Sequence, residues 1–240
     1  MKNLILFFSF LLPMIISINA QTFDPDVYNT SKGTLKIYFV GHGTLMFDFN
    51  GKIIHVDPWA KLTDYSKLSK ADIILITHQH GDHYDTAAIN QIMTKKTSLV
   101  VNGEIYETNM LGEVMKNGDT KIIQGIKIEA VPAYNLTRER EKFHPTGRDN
   151  GYVLNFGNRR VYIAGDTEDI PEMAFLKNIY IAFLPMNQPY TMLPEQVVKA
   201  VDMFKPKILY PYHYGESNVD TLKILMKSQP QTEVKIKQMK

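Results

Sequence analysis

The chain has no cysteine in its 240 residues. Disulfides are therefore excluded, and any metal must be held by histidine and carboxylate rather than thiolate. An excess of charge of one sign is missing too. The 27 Lys and Arg nearly balance the 25 Asp and Glu, so there is no global field of the kind that draws in nucleic acid or an anionic membrane. Beyond the first twenty residues no apolar run reaches membrane-spanning length. Internal repeats, low-complexity segments and Pro/Ser-rich linkers are also lacking.

The first twenty residues read as a leader. Lys2 precedes an apolar run that extends to Ile16, with Pro13 inside it, and Ser17-Ile18-Asn19-Ala20 follow. A basic start, a hydrophobic middle and a small residue at the cut make a secretory signal, expected to be removed after Ala20. No cysteine follows the cut to carry a lipid. Residues 21–240 are expected to form one domain around one sizeable core. An exported, cysteine-free protein suits the bacterial periplasm or the outside of the cell. Its expected partner is a small-molecule or lipid substrate, with no nucleic acid and no integral membrane segment after cleavage.

Periodicity and turn residues place the elements. Leu35–Val40, Thr44–Phe49 and Ile53–Asp57 read as consecutive strands, with Asn50-Gly51 as a hairpin turn. Residues 71–77 are a short buried strand, followed by a helix over Thr86–Met93 and a strand over Leu99–Val101. A helix is predicted over Glu104–Asn117, then strands over Thr120–Gln124 and Ile126–Val131 and a long polar loop over 132–150. A hairpin about Gly157-Asn158 joins Gly151–Phe156 to Arg160–Ala164. Strands over Asn178–Leu184 and Ile208–Tyr210 then alternate with helices over Pro194–Phe204 and Val219–Lys227. A meander that gives way to alternating strands and helices, loosely repeated in both halves, predicts a layered α/β domain.

The chemistry is concentrated at ITHQHGDHYD, residues 76–85. Three of the seven histidines, His78, His80 and His83, fall in one hexapeptide with Asp82, directly after the strand at 71–77. Imidazole and carboxylate ligands suit zinc and its first-row neighbours, with manganese and iron as alternatives. His78 and His80, two residues apart, can turn onto one ion, and Asp82-His83 can reach a second. Gly81 lets the loop turn tightly.

The THxHxDH pattern after an apolar strand resembles the signature of the metallo-β-lactamase superfamily of metal-dependent hydrolases. GHGT at Gly41–Thr44, VDPW at Val56–Trp59, AGDTE at Ala164–Glu168 and PYHYGE at Pro211–Glu216 come in the matching order. They are similar to the branch of ascorbate-6-phosphate lactonase-like and N-acyl-phosphatidylethanolamine phospholipase D-like proteins. The resemblance covers about Thr34 to Leu225 and implies an αββα sandwich with metals at one edge. It implies that His78 and His80 bind one metal and that Asp82, His83 and His213 bind a second. Asp166 would bridge both, and Asp57 would hydrogen-bond the metal-binding loop.

One ligand does not carry over. The family's third histidine for the first metal should follow the strand over Lys127–Val131, where Pro132-Ala133-Tyr134-Asn135 stand instead. Either His144 folds back from the long loop, or Asn135 or a water fills the place, or the first site is weak. His42 stands in a Gly-x-Gly turn that the resemblance places near the site and reads as structural rather than catalytic, and His55 reads as a packed or surface residue.

Two divalent ions sharing a water would lower its pKa enough to supply hydroxide near neutral pH. Asp82 would orient that water or relay its proton. The expected function is hydrolysis of an ester, lactone, amide or phosphodiester. A phospholipid-directed phosphodiesterase and a non-catalytic metal-binding protein on the same scaffold are the alternatives. Tyr190, Tyr212 and Tyr214 are possible proton donors to the leaving group. Arg138, Arg140, Lys142 and Arg148 crowd the loop 136–150, where such charges are usually solvated.

Overall fold

The computed structural model describes residues 23–240, so the expected leader over residues 1–20 lies outside the described residues. Two seven-stranded sheets carry the fold. The first holds β1 (Asp26–Thr30), β2 (Gly33–Gly41), β3 (Thr44–Phe49), β4 (Lys52–Val56), β5 (Ile73–Leu75), β6 (Ser98–Val101) and β7 (Glu113–Val114), in that spatial order. The second holds β8 (Thr120–Ile123), β9 (Ile126–Ala133), β10 (Asp149–Phe156), β11 (Arg159–Ile163), β12 (Ile179–Pro185), β13 (Ile208–Tyr212) and β14 (Glu233–Val234), again in chain order. Each sheet begins as an antiparallel meander, β1–β4 or β8–β11, and continues in parallel through its last strands.

The turns follow the local chemistry. Asn50 and Gly51 both take positive φ, 53° and 82°, as the tight β3–β4 hairpin requires. Gly157, at φ 60°, opens the turn between β10 and β11. Between the sheets, the inward faces of both meanders meet in the main core. Phe47 on β3 stacks with Phe156 on β10 at 5.9 Å between centroids, and Phe39 on β2 meets Phe183 on β12 at 6.2 Å. Removing a fully buried ring such as Phe47 costs about 3–5 kcal/mol, so these pairs fix how the two sheets register.

Helices cover the outer faces. α1 (Thr86–Ile92) and α2 (Gly103–Asn109) lie on the first sheet, where Ile89, Ile92 and Ile105 join Ile74, Ile76 and Val101 in a second apolar cluster. α3 (Pro194–Phe204) and α4 (Val219–Leu225) lie on the second sheet through Val197, Val201, Phe204 and Leu222. The result is the α/β sandwich of αββα type that the resemblance implied.

Four elements differ from expectation, β7 among them because it falls inside the helix predicted over Glu104–Asn117. The helix predicted over Glu104–Asn117 is α2, which stops at Asn109 because Met110 takes φ 52° and Gly112 φ 101°. A Cβ on Gly112 would lie 3.1 Å from the Leu99 carbonyl, so glycine is what lets β7 run close beside β6. The two end strands β1 and β14 were not predicted. β1 reads DVYNT, too polar to stand out, and it alternates partly buried and exposed positions along an edge.

Candidate metal centre

The strand ends gather the site. His78, His80, Asp82 and His83 follow β5, Asp57 follows β4, Asp166 follows β11 and His213 follows β13. His144 precedes β10, which runs antiparallel to β11, so it arrives at the same edge. Open α/β sheets hold ligands at the carboxyl ends of their strands, and here both sheets contribute to one such edge.

Two clusters of donor atoms result, sharing one carboxylate. In the first, His78 Nε2 lies 3.0 Å from His80 Nδ1, and His144 joins them. His144 is thus carried back from the long loop, pinned by the hydrogen bond from Asn135 N to its carbonyl at 2.8 Å. In the second, His83 Nε2 lies 3.1 Å from His213 Nε2, and Asp82 Oδ2 is 3.5 Å from the latter. Asp166 sits between them. Its Oδ1 is 3.7 Å from His83 Nε2, and its Oδ2 is 3.5 Å from both His144 Nε2 and His213 Nε2.

A second layer fixes the rings. Asp57 Oδ1 accepts from Thr77 N at 2.8 Å, and its Oδ2 accepts from Thr77 Oγ1 at 2.7 Å and lies 2.9 Å from His83 Nδ1. Thr77 Oγ1 in turn lies 3.0 Å from His78 Nδ1. Asp149 Oδ2 lies 3.1 Å from His144 Nδ1 and is also held by Arg148. An outward Nδ1–H on each ring would leave its Nε2 lone pair facing inward, which is how carboxylates orient metal-binding histidines. Thr77 and Asp149 were not singled out in the sequence; the only signals for them are the residue before the first histidine and a carboxylate opening β10.

The residues present fit cations. Donor atoms sharing a tetrahedral ion at ~2.0 Å would be about 3.3 Å apart, close to the separations above. Asp166 Oδ1, 3.7 Å from His83 Nε2, is buried without a hydrogen-bond partner among the described residues. Burial disfavours a charged His83, yet Asp166, Asp57 and Asp82 push its pKa up to about 10. A pocket that holds a proton so tightly against burial is one that calls for positive charge. Burial also raises Asp82, but hydrogen bonds from His213 and His42 and the charge on His83 bring it far below the carboxylate range. His78 is driven well below 6.5, by burial first and by its histidine neighbours next.

A cleft of about 310 Å³ opens onto these groups, lined besides by Phe143, Asn187 and Tyr190. A larger concavity of about 610 Å³ beside α2 contains none of the histidines, so the chemistry and not the size locates the site. Two of the four loop cations are tied back into the protein, while Lys142 Nζ lies 5.0 Å from the Phe143 ring centroid at the cleft wall. Arg140 donates to the buried Glu168 at 2.9 Å, and Arg148 is tied to Asp149 and the Phe143 carbonyl. Glu168 also accepts from Leu136 N, Thr137 N and Thr137 Oγ1, which clamps the segment leading to Phe143 and His144. The Tyr212 hydroxyl donates to the Gly165 carbonyl and the Tyr214 hydroxyl to the Lys237 carbonyl. Only Tyr190, of the three tyrosines considered, lines the cleft.

Comparison with known proteins identifies the family. The β-lactamase superfamily domain matches residues 36–213. A UPF0173 metal-dependent hydrolase of Nanoarchaeum equitans is 31% identical over 193 residues, covering 75% of this chain and 84% of its own. One from Thermococcus onnurineus is 32% identical over 199 residues, covering 75% and 85%. Among solved structures, a protein from Parabacteroides distasonis described as a metal-dependent hydrolase is 50% identical, with a TM-score of 0.89 over 91% of this chain and all of that one. A metallo hydrolase from Ignicoccus hospitalis shares the fold at 24% identity, with a TM-score of 0.71 over 85% and 94% of the two chains. The chain belongs to the UPF0173 family of metal-dependent hydrolases, in the β-lactamase superfamily.

Proposed function

We propose that this enzyme is a two-cation hydrolase acting on an ester, lactone, amide or phosphodiester whose remainder is uncharged. The observation that carries the two-cation reading is the position of Asp166, which faces both histidine clusters. His78, His80 and His144 would hold one cation, and Asp82, His83 and His213 the other, with Asp166 between. Bound there, divalent cations would acidify a shared water and withdraw charge from the electrophile. Zinc suits the donor set, with manganese and iron as alternatives.

The chain's own groups do the rest. Asp82 is the most open of the clustered carboxylates and is ionised, so its oxygens can accept and orient a water proton at the cleft floor. Asn187 offers an amide to a substrate carbonyl or phosphoryl oxygen. The Phe143 and Tyr190 rings, T-shaped with centroids 4.9 Å apart, form an apolar wall that excludes water. The Tyr190 hydroxyl would be the proton donor to a leaving group. Among the described residues no Lys or Arg lines the cleft floor, with Lys142 only at the Phe143 ring, and this supports a substrate neutral outside the scissile bond.

A phospholipid-directed phosphodiesterase is the second reading. Leu136, Tyr190 and Leu193 are 49%, 43% and 40% exposed, and they border the same loop through the Asn135 to Tyr190 hydrogen bond. Such a rim could meet a lipid surface. The motif resemblance to the lactonase-like and phospholipase D-like branch supports both readings. The leader over residues 1–20 supports export to the periplasm or beyond.

The test is metal content per chain together with hydrolysis of a panel: neutral aryl esters, lactones, bis(p-nitrophenyl) phosphate and phospholipid vesicles. Two ions and turnover of neutral esters or lactones are expected. Selective turnover of vesicle lipid would favour the second reading. No metal after reconstitution with zinc, manganese and iron would end both.

A further inference from the structure

The turn between β2 and β3 brings one more histidine to the second cluster. His42 Nε2 lies 3.0 Å from Asp82 Oδ2, and its ring lies over that of His213 with centroids 3.8 Å apart. Its other nitrogen, Nδ1, lies 3.2 Å from the Lys240 carbonyl oxygen. The backbone is shaped to deliver the ring there. His42 takes φ 50° after Gly41 at 136°, a left-handed conformation that residues with a Cβ seldom adopt. A Cβ on Gly43 would stand 2.9 Å from His83 Cε1 and 3.2 Å from His213 Cδ2, so only glycine lets this turn close onto the cluster. His213 N donates to the His42 carbonyl at 2.9 Å, locking the two histidines together.

A neutral His42 cannot satisfy both of its oxygen neighbours. Both ring nitrogens face oxygens that accept, a carboxylate and a carbonyl, whereas a neutral imidazole has a single N–H. If Nδ1–H donates to Lys240, the Nε2 lone pair points at a carboxylate oxygen. If the proton sits on Nε2, the Nδ1 lone pair points at a carbonyl. A cation shared by Nε2 and Asp82 resolves the first arrangement. The donor atoms of His42, Asp82, His83 and His213 all lie within 4.8 Å of one another.

We propose that His42 is a further nitrogen ligand of the cation held by Asp82, His83 and His213, aimed by the Lys240 carbonyl. The inference rests on the two-cation reading. With His42 included, each cluster offers three imidazoles and both share Asp166. The second cluster then adds Asp82, which makes it the tighter of the two.

The test uses metal-free full-length protein, wild type and the variants His42→Gln and His42→Ala, titrated with cobalt(II). Stoichiometry, chelator competition, visible absorption and X-ray absorption are the readouts. Wild type should take up two cobalt ions. Both variants should keep the ion at the His78–His80–His144 cluster with unchanged affinity, which also reports that the fold is intact, and bind the ion at the Asp82–His83–His213 cluster at least tenfold more weakly with fewer imidazoles per cobalt. Free imidazole should restore the wild-type absorption in His42→Ala. An ion bound at the Asp82–His83–His213 cluster with wild-type affinity and spectrum would overturn the assignment. So would weaker binding at an unchanged imidazole count, which would make His42 a positioning residue for Asp82. Wild type that takes up fewer than two ions would instead defeat the two-cation reading, and this inference with it.

Discussion

Asp149 Oδ2 lies 3.1 Å from His144 Nδ1, and neither side chain has meaningful contact with solvent. The carboxylate is what holds a histidine from a long loop against His78 and His80. It fixes which nitrogen faces His78 and His80. Replacing Asp149 with Ala should therefore weaken the first cation by about 10- to 100-fold, the usual cost of losing such a partner. His144→Ala should lower the metal content from two ions to one. Chelator competition and elemental analysis read both; unchanged affinity in Asp149→Ala would mean that the ring is held by other contacts.

Asp57 has a heavier duty. It satisfies the Thr77 N–H and hydroxyl and faces His83, all buried. Asp57→Ala strands these donors at about 1–3 kcal/mol for each unsatisfied group. It also places alanine at φ 47°, where Asn would be tolerated. Urea unfolding should find Asp57→Ala less stable by roughly 3–5 kcal/mol, with Asp57→Asn closer to wild type.

Gly43→Ala is the sharper probe of the second cluster. The added methyl would meet the His83 and His213 rings at 2.9 and 3.2 Å, with the main core untouched. The variant should fold with a near-native thermal transition when metal-free, yet bind the second cation more weakly. Wild-type metal affinity in this variant would show that the turn can retreat.

Acid stability should follow His55. This residue is fully buried, its Nε2 lies 3.0 Å from the Ser69 carbonyl, and burial lowers its pKa from 6.5 to about 4, with the Ser69 contact partly opposing. Between pH 6.5 and 4 the unfolded chain takes up a proton that the folded protein refuses. His55 should thus cost stability as pH falls through that window, by about 3 kcal/mol once fully expressed. His55→Gln, which can still donate to Ser69, should flatten this part of a urea-stability profile. An identical slope would place the acid sensitivity elsewhere.

Much of this was legible in the sequence, for reasons that differ by residue. His78, His80, Asp82 and His83 declare themselves because local spacing alone puts them on one loop after a greasy strand. Asp166 and His213 needed the resemblance, since a lone Asp or His after a strand carries no signal of its own. His144 was left open because loop closure is a three-dimensional fact. It is decided by Glu168 gathering the 136–137 backbone and Arg140, residues far apart from it in function as read from the chain. His42 looked structural because nothing in GHGT reveals that Gly43 lets the turn touch the His83 and His213 rings. The edge strands and the early end of α2 escaped for a simpler reason: short polar strands and a left-handed Met110 leave no periodic trace.

The division of the ligands between the two sheets has a mechanical meaning. His78, His80, Asp82 and His83 belong to the first half of the chain, and His144, Asp166 and His213 to the second. Neither half owns a complete cluster. Any ion bound across Asp166 is therefore a rivet between two half-molecules, added to their greasy inner faces and to polar ties such as Asn150 N to the Thr77 carbonyl and Tyr152 Oη to the Ile76 carbonyl. Its binding energy adds to the work of prising the sheets apart, so loss of metal would silence the enzyme and loosen its seam in one event.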